Sequence, residues 1–457
     1  MGFWKMTFLV LFCLSGVLAC ASKTVPKEPL QSLTSELPKY LRQPLIIPDW
    51  FEQFNDPILQ GLINEAVEQN PDWHAIAARL TASTALASID GRLPNLDLNV
   101  DNQRSDNNGT VSDTASIGLR LSWEIDLWGR LAQQRAANVW SAKASAADAQ
   151  WARFSLSANV SKAWLTVLAN HQQFLLNQQR QQNLQQSLEL VEDGFSQGTR
   201  EALDLYSARA ELASGSANLH RVERAFKQSQ YQLSRLLGRY PGDVINTGSK
   251  MPSVAALPPS QLSSILLERR PDVRAAQFNL AAQQARRKLA QKNRLPVFSL
   301  TAQTGYASDT LANAVDGKTP FWSALGNVTA PLFRGKALAA ESERQASLYR
   351  AAVADFKSAA LNAFQDALNT LNNEQTLYQE WRGAQQAATI SEQAEQQALE
   401  RYLSGLENFN TWLQSQRTAF DRKINVLELQ ATLLQNRVDL HLALGGHIPR
   451  ENTTNVP

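Results

Sequence analysis

The sequence predicts an α+β membrane protein in which each chain gives four strands to a shared β-barrel and continues the barrel with long coiled-coil helices. Three observations predict this fold class: an internal duplication, four segments that alternate with period two, and two very long helical runs. The duplication shows in matched landmarks, because Asn70-Pro71-Asp72 and Arg92-Leu93-Pro94 recur about two hundred residues later as Arg270-Pro271-Asp272 and Arg294-Leu295-Pro296.

The first residues are predicted to be a lipoprotein signal peptide spanning 1–19. Lys5 is followed by an apolar run and then by Val17-Leu18-Ala19-Cys20, which resembles a bacterial lipobox. Cys20 would be the only cysteine of the mature chain, since Cys13 lies in the removed segment. The alternative is an ordinary signal with an incidental cysteine. No aspartate follows Cys20, which favours sorting to the outer membrane, with one covalent lipid as the anchor.

The duplication divides the mature chain into five segments. We expect a lipidated linker at 20–50, a first repeat at 51–240, an equatorial linker at 241–260, a second repeat at 261–446 and a tail at 447–457.

Each repeat is predicted to contain two strands, at 95–103 and 116–127 in the first repeat and at 297–306 and 321–332 in the second. Between the first two strands we expect a polar loop, 105–113, that turns at Asn108-Gly109. One face of each strand is apolar and suits lipid, while the other is polar and suits a water-filled lumen. The residues expected to face the lumen are Asp97, Asn99, Asp101, Arg120, Glu124 and Asp126. Two soluble hairpins, each with one buried face, are the alternative.

Four strands are too few to close a membrane barrel. An open sheet edge in lipid would leave unpaired backbone groups that cost several kcal/mol each. If the strands span a membrane, several chains must therefore build the barrel together, and three chains would supply twelve strands.

Long helical hairpins are predicted at 129–237 and 336–444, where proline is absent from the long arms and alanine, glutamine and leucine dominate. An arm of roughly 65 residues would be about 100 Å long. Gly198 and Gly405 mark the turns of the hairpins, because glycine takes the left-handed conformation without steric cost. A structural coiled coil without a lumen is the alternative.

Composition argues against several classes of function. The net charge is +2, with 44 basic and 42 acidic residues, so no electrostatic footprint for nucleic acid is present. The five histidines show no metal-ligand spacing, and no phosphate-binding loop, dinucleotide fingerprint or nucleophile elbow occurs. We therefore expect no enzyme activity, no metal, and no cofactor apart from the lipid on Cys20.

The motifs together resemble the TolC-like outer membrane factor family, in particular its lipidated OprM/NodT-type members. The resemblance rests on Phe51–Pro57, on Ser122–Arg130, on Ala330–Gly335 and on Leu444-Gly445-Gly446, where His447 replaces the glycine that usually follows. The match covers almost the whole mature chain.

The resemblance implies a homotrimer with a twelve-stranded outer-membrane barrel and a helical tunnel through the periplasm. It implies a passive export duct that carries small molecules such as drugs or toxic compounds. Its partners would be outer-membrane lipid, a periplasmic adaptor and an inner-membrane pump, most simply of the resistance-nodulation-division (RND) type. A type I protein-secretion duct served by an ABC transporter is the alternative, and the transported substrate stays open.

The resemblance also places a constriction at the two hairpin tips. The matching residues are Arg200, Leu203 and Asp204 in the first tip and Glu407, Asn408, Asn410 and Gln414 in the second. OprM-like members carry leucine at the position of Asn410 and aspartate at that of Gln414. Asp204 is therefore the better candidate for an acidic ring, since three copies would attract cations. Alternatively, Asp204 lies in the first turn of a helix, where the helix dipole favours a negative charge.

Overall fold

The computed structural model describes residue 54, residues 56–242, positions 245, 247, 248 and 250–254, residues 270–317 and residues 319–445. The predicted signal peptide, Cys20, the linker at 20–50 and the tail at 447–457 lie outside the described residues, as does part of the predicted equatorial linker.

Each repeat contains two strands and a long helical hairpin, together with further shorter helices. The first repeat contains α1 (Pro57–Gln69), α2 (Pro71–Ser88), β1 (Asn95–Asn107), β2 (Thr110–Ile125), α3 (Arg130–Ser196) and α4 (Ala202–Leu237). The second contains α5 (Pro271–Lys292), β3 (Val297–Ser308), the short α6 (Leu311–Val315), β4 (Pro320–Thr329), α7 (Ala337–Leu403) and α8 (Phe409–Ala443).

The four strands form one antiparallel sheet in the order β1-β2-β3-β4. The register keeps the predicted faces together across the strands. On the apolar face Leu98 lies opposite Leu119 and Ile125 lies opposite Phe298. On the polar face Asp97 lies opposite Arg120, which lies opposite Gln303. The sheet therefore has one apolar and one polar side, and β1 and β4 are its edges.

The prediction of a polar loop at 105–113 was wrong. The strands continue to a two-residue turn, where Asn108 and Gly109 have φ values of 53° and 85°. Positive φ at both positions matches the twist of the flanking strands, so the ladder of hydrogen bonds can run up to the turn. Within it the hydroxyl groups of Ser105 and Ser112 lie 2.9 Å apart.

Asp126 is not a lumen-facing strand residue, because β2 ends at Ile125. The carboxylate of Asp126 instead accepts hydrogen bonds from the backbone N–H groups of Leu131 at 3.0 Å and Ala132 at 2.8 Å. These groups belong to the first turn of α3 and have no partner within the helix. Asp126 therefore caps the long helix where the sheet ends.

The long arms α3 and α7 each have 67 residues, which corresponds to about 100 Å. α4 packs antiparallel on α3, and α8 packs on α7, while α8 and α5 join the two hairpins.

The main apolar core lies where α1, α3, α4 and α8 meet, around the fully buried Trp164. The indole N–H of Trp164 donates to the carboxylate of Asp56 at 2.7 Å, and Asp56 also caps α1. Among the described helices, none has a stretch apolar enough to span a bilayer.

Candidate functional site at the hairpin tips

Both hairpins turn through the same backbone motif. Gly198 and Gly405 have φ values of 73° and 72° and follow the last residues of α3 and α7. The N–H of Thr199 donates to the Gly194 carbonyl at 2.8 Å, and the N–H of Leu406 donates to the Arg401 carbonyl at 2.9 Å. This hydrogen bond, whose donor and acceptor residues are five apart in the chain, satisfies a carbonyl of the last helical turn. The duplication therefore extends to the detailed geometry of the tips.

The side chains at the two tips differ, and the second tip has an aromatic core. The rings of Tyr402 and Trp412 stack with centroids 5.2 Å apart, and Phe409 meets both rings edge-on. Tyr402 is fully buried, whereas Phe195, at the matching position of the first tip, is 43% exposed. The aromatic cluster also contacts Leu205 of α4, so it joins the two hairpins.

Arg200 links the first tip to the second. Its guanidinium carbon lies 4.0 Å from the centroid of the Tyr402 ring. The same guanidinium donates a hydrogen bond to the Tyr402 carbonyl at 3.3 Å. A cation over an aromatic face at this distance contributes about 0.5–2 kcal/mol, with the larger value where water is excluded. Arg200 is thus the predicted tip residue with the most direct contact between the hairpins.

The other predicted tip residues have separate roles. Asn408 caps α8, because its side-chain oxygen accepts from the N–H of Thr411 at 2.9 Å. Glu407 lies 3.7 Å from the guanidinium of Arg401 in its own hairpin. The remaining members of the predicted set, Leu203, Asn410 and Gln414, are exposed.

Asp204 is half-buried in the first turn of α4. Burial and the neighbouring Glu201 raise the pKa of Asp204 above its usual value, and Arg200 partly opposes that shift. Among the described residues, no ion pair joins the Asp204 carboxylate to the second tip. Asp204 is therefore a carboxylate that takes up a proton more readily than an ordinary aspartate.

A buried carboxylate farther from the tips joins three helices. Glu211 of α4 is 5% exposed and accepts hydrogen bonds from Arg180 of α3 at 2.7 Å and from two nitrogen atoms of Arg417 of α8. Burial alone would raise the pKa of Glu211, but the hydrogen bonds from Arg417 and Arg180 outweigh it and lower the pKa. The ion pair of Glu211 with Arg417 therefore connects the two hairpins.

Sequence reasoning missed both Tyr402 as the partner of Arg200 and the cluster around Glu211. Arg200 and Tyr402 are 202 residues apart in the chain, and Glu211 and Arg417 are 206 apart. The only available signal was the tip signature itself, since Tyr402 occupies the place of Phe195. Nothing in the local sequence marks Glu211, whose partners come together only in the folded chain.

The second predicted set of functional residues lies on the polar face of the sheet. The observed register places five of them on that face: Asp97, Asn99, Asp101, Arg120 and Glu124. Glu124 is engaged at the base of the sheet, because its carboxylate pairs with the guanidinium of Arg130 at 2.6 Å. The remaining four are available to a lumen.

Comparisons with known proteins cover nearly the whole chain. A model of the outer membrane efflux protein family matches residues 62–239 and 262–446. The pyoverdine export outer membrane protein OpmQ of Pseudomonas putida is 29% identical over 94% of this chain and 95% of its own length. The probable outer membrane lipoprotein SilC of Salmonella typhimurium is 26% identical over 87% of each chain.

A solved structure has the same fold. The outer membrane channel CmeC of Campylobacter jejuni aligns with a TM-score of 0.82 over 87% of this chain and 88% of its own, at 22% identity. At that identity the likeness shows the fold alone. The predicted fold class is confirmed.

Proposed function

The chain belongs to the outer membrane efflux protein family, and on that premise we propose how it works as a duct of a tripartite efflux system. Its location in the outer membrane and its role in efflux, both predicted from the sequence, are confirmed by the family match and by the relatives.

We propose that three copies close the barrel and the tunnel. The observation that supports this proposal is a difference between the two repeats: surfaces that are covered in one repeat are uncovered at the matching place in the other. In the second repeat α5 packs on both α7 and α3, whereas the matching helix α2 packs substantially only on α3. β2 pairs with β3 across the repeats, whereas β1 and β4 are unpaired edges of the described sheet. A neighbouring copy would supply both missing contacts, and the ring would then have no open edge.

The tips are the proposed docking surface for a periplasmic adaptor. Leu203, Tyr206, Leu403 and Leu406 are each more than half exposed there. Large apolar side chains gathered at one exposed end of a protein favour a partner interface. The adaptor would connect the tips to an inner-membrane pump. We propose that this pump is of the RND type.

We propose that the cargo consists of small molecules such as drugs or toxic compounds. The relative OpmQ is named for pyoverdine export, which supports a small-molecule cargo here. The duct itself would be passive, so the pump and the adaptor would select what enters it.

The proposed gate combines Arg200 with Asp204. The contact of Arg200 with Tyr402 would hold the two tips of one chain together, while three copies of Asp204 would give the closed end a negative charge. We further propose that Cys20 carries the lipid anchor, since the relative SilC is named as a probable lipoprotein.

Reconstitution of the purified full-length protein into planar lipid bilayers tests the duct. We expect a small resting conductance from the trimer that rises when the tips are loosened. A folded, lipidated trimer that carries no current under any condition would contradict the proposal.

A further inference from the structure

We propose that the polar face of the sheet carries a subsite for small aromatic zwitterions, in a basin bounded by Phe321, Arg120 and Asp101. The inference rests on the proposed function, because this face is the wall of a lumen only where copies of the chain close a barrel.

Three neighbouring rows of the strand register build the basin. In order they are Asp97–Arg120–Gln303–Ser323, then Asn99–Gly118–Gly305–Phe321, then Asp101–Ser116–Ala307. The middle row has no side chain on its two central strands, while the rows on either side carry charged groups.

The glycine pair forms the floor of the basin. A Cβ atom on Gly118 would collide with the carbonyl oxygen of Thr304, and one on Gly305 would collide with that of Ile117. Only glycine allows the two backbones to approach so closely at this point. The floor is therefore bare backbone, and Phe321 stands at its end directly opposite Gly305.

Phe321 gives the basin an aromatic surface beside its polar side chains. It is the single aromatic residue on the polar face of the described strands, and it is half-buried. The cavity measures about 220 Å³ and is lined by Phe321 together with Arg120, Asp101 and Gln303. A cavity of about 150 Å³ is enough to hold benzene, so this one has room for an aromatic ring and a substituent.

The two charged side chains of the basin have no partner in the described part of the chain. Among the described residues, Arg120 and Asp101 form no ion pair, and their side chains form no hydrogen bond. Elsewhere in the sheet charges are paired, as for Arg104 with Asp113 at 3.7 Å. A solute could place its carboxylate on the guanidinium of Arg120 and its ammonium group on the carboxylate of Asp101. Its ring would then pack against Phe321.

These three groups define the class of ligand. An aromatic zwitterion uses all of them, whereas glycine lacks the ring and benzoate lacks the cation. Stacking of two rings contributes about 0.5–1.5 kcal/mol, so loss of Phe321 should weaken binding by up to about tenfold.

The test uses the full-length trimer in planar bilayers, with free tryptophan as the probe of the ion current. We expect tryptophan to block the current at a lower concentration than glycine or benzoate. Phe321→Ala should raise the half-blocking concentration of tryptophan by about twofold to tenfold, in line with the stacking energy, and Arg120→Gln should also raise it. Leu325→Ala is the matched control, since Leu325 lies on the same strand and face but outside the basin.

Two results would overturn the inference in distinguishable ways. A trimer without any current overturns the duct and the subsite together. A conducting trimer that tryptophan blocks equally well with and without Phe321 and Arg120 overturns the subsite alone. Each variant is first run on a gel, where heat-modifiable migration as a trimer shows that it has folded. Its current is measured afterwards.

Discussion

Replacing Glu211 by glutamine removes the negative charge that joins the two hairpins of one chain. Its carboxylate lies between Arg180 and Arg417, with side-chain exposures of 6% for Glu211, 18% for Arg180 and 44% for Arg417. The substitution keeps the shape of the side chain and leaves two guanidinium groups without their anion. We therefore expect the junction between α3, α4 and α8 to open more often.

The structure sets the size of the effect. Breaking a buried ion pair from one side typically costs about 3–5 kcal/mol. Arg417 is nearly half exposed and regains water, and glutamine retains part of the hydrogen bonding, so we expect a cost of about 2 kcal/mol. This corresponds to a roughly thirtyfold increase in local opening.

Hydrogen exchange of the backbone amides of α8 around Arg417 measures that opening in the solubilised full-length protein. Glu192→Gln is the matched control, because Glu192 pairs with Arg209 at 2.9 Å within one hairpin and both side chains are well exposed. The control should lose no more than about 1 kcal/mol. Exchange in the Glu211 variant that is no faster than in the Glu192 variant would refute the reasoning.

Further predictions concern the gate, the long helix, the anchor and pH. Arg200→Ala should raise the resting conductance in bilayers, because it removes the cation from the tyrosine ring of the second tip, and an unchanged conductance would remove Arg200 from the gate. Asp126→Ala should lower the free energy of unfolding by about 1 kcal/mol through loss of a helix cap, as thermal unfolding would record. Cys20→Ser should abolish incorporation of labelled palmitate, and persistent labelling would place the lipid elsewhere. Burial raises the pKa of Asp204 while arginine pairing lowers that of Glu211. Acidification should therefore neutralise Asp204 at a higher pH than an ordinary aspartate, so the cation selectivity of the bilayer current should start to fall above the usual titration range of aspartate. Glu211 itself stabilises the fold above its unfolded pKa of about 4.3 and loses that contribution as the pH falls through its lower folded value.

The sequence predicts the sheet well where alternation is strong. Period two assigns each strand residue to a face, and antiparallel pairing preserves that assignment, so Asp97 and Arg120 meet as the pattern implies. The prediction of a loop at 105–113 was wrong because it rested on asparagine, aspartate and glycine, which have low strand propensity. There the turn at Asn108-Gly109 and the cross-strand pairing decide the structure instead.

At the tips the turns could be predicted from the sequence, but the contacts between the two hairpins could not. Glycine and the doubled signature locate both turns, because a left-handed residue is needed at each. The contact of Arg200 with Tyr402 depends on how the two hairpins pack, and no local pattern encodes that packing. The same applies to Glu211, whose position on α4 looks like any other glutamate of a solvated helix.

Cross-linking of the two sheet edges tests the central claim most directly. Paired cysteines would be scanned along β1 from Asn95 to Asp101 and along β4 from Leu325 to Thr329. Within one chain these edges are three strand spacings apart, about 14 Å, whereas a disulfide needs Cβ atoms about 4 Å apart. We predict that at least one pair gives a covalent trimer in the membrane. Folded protein in which every pair stays monomeric would contradict closure of the barrel by three copies.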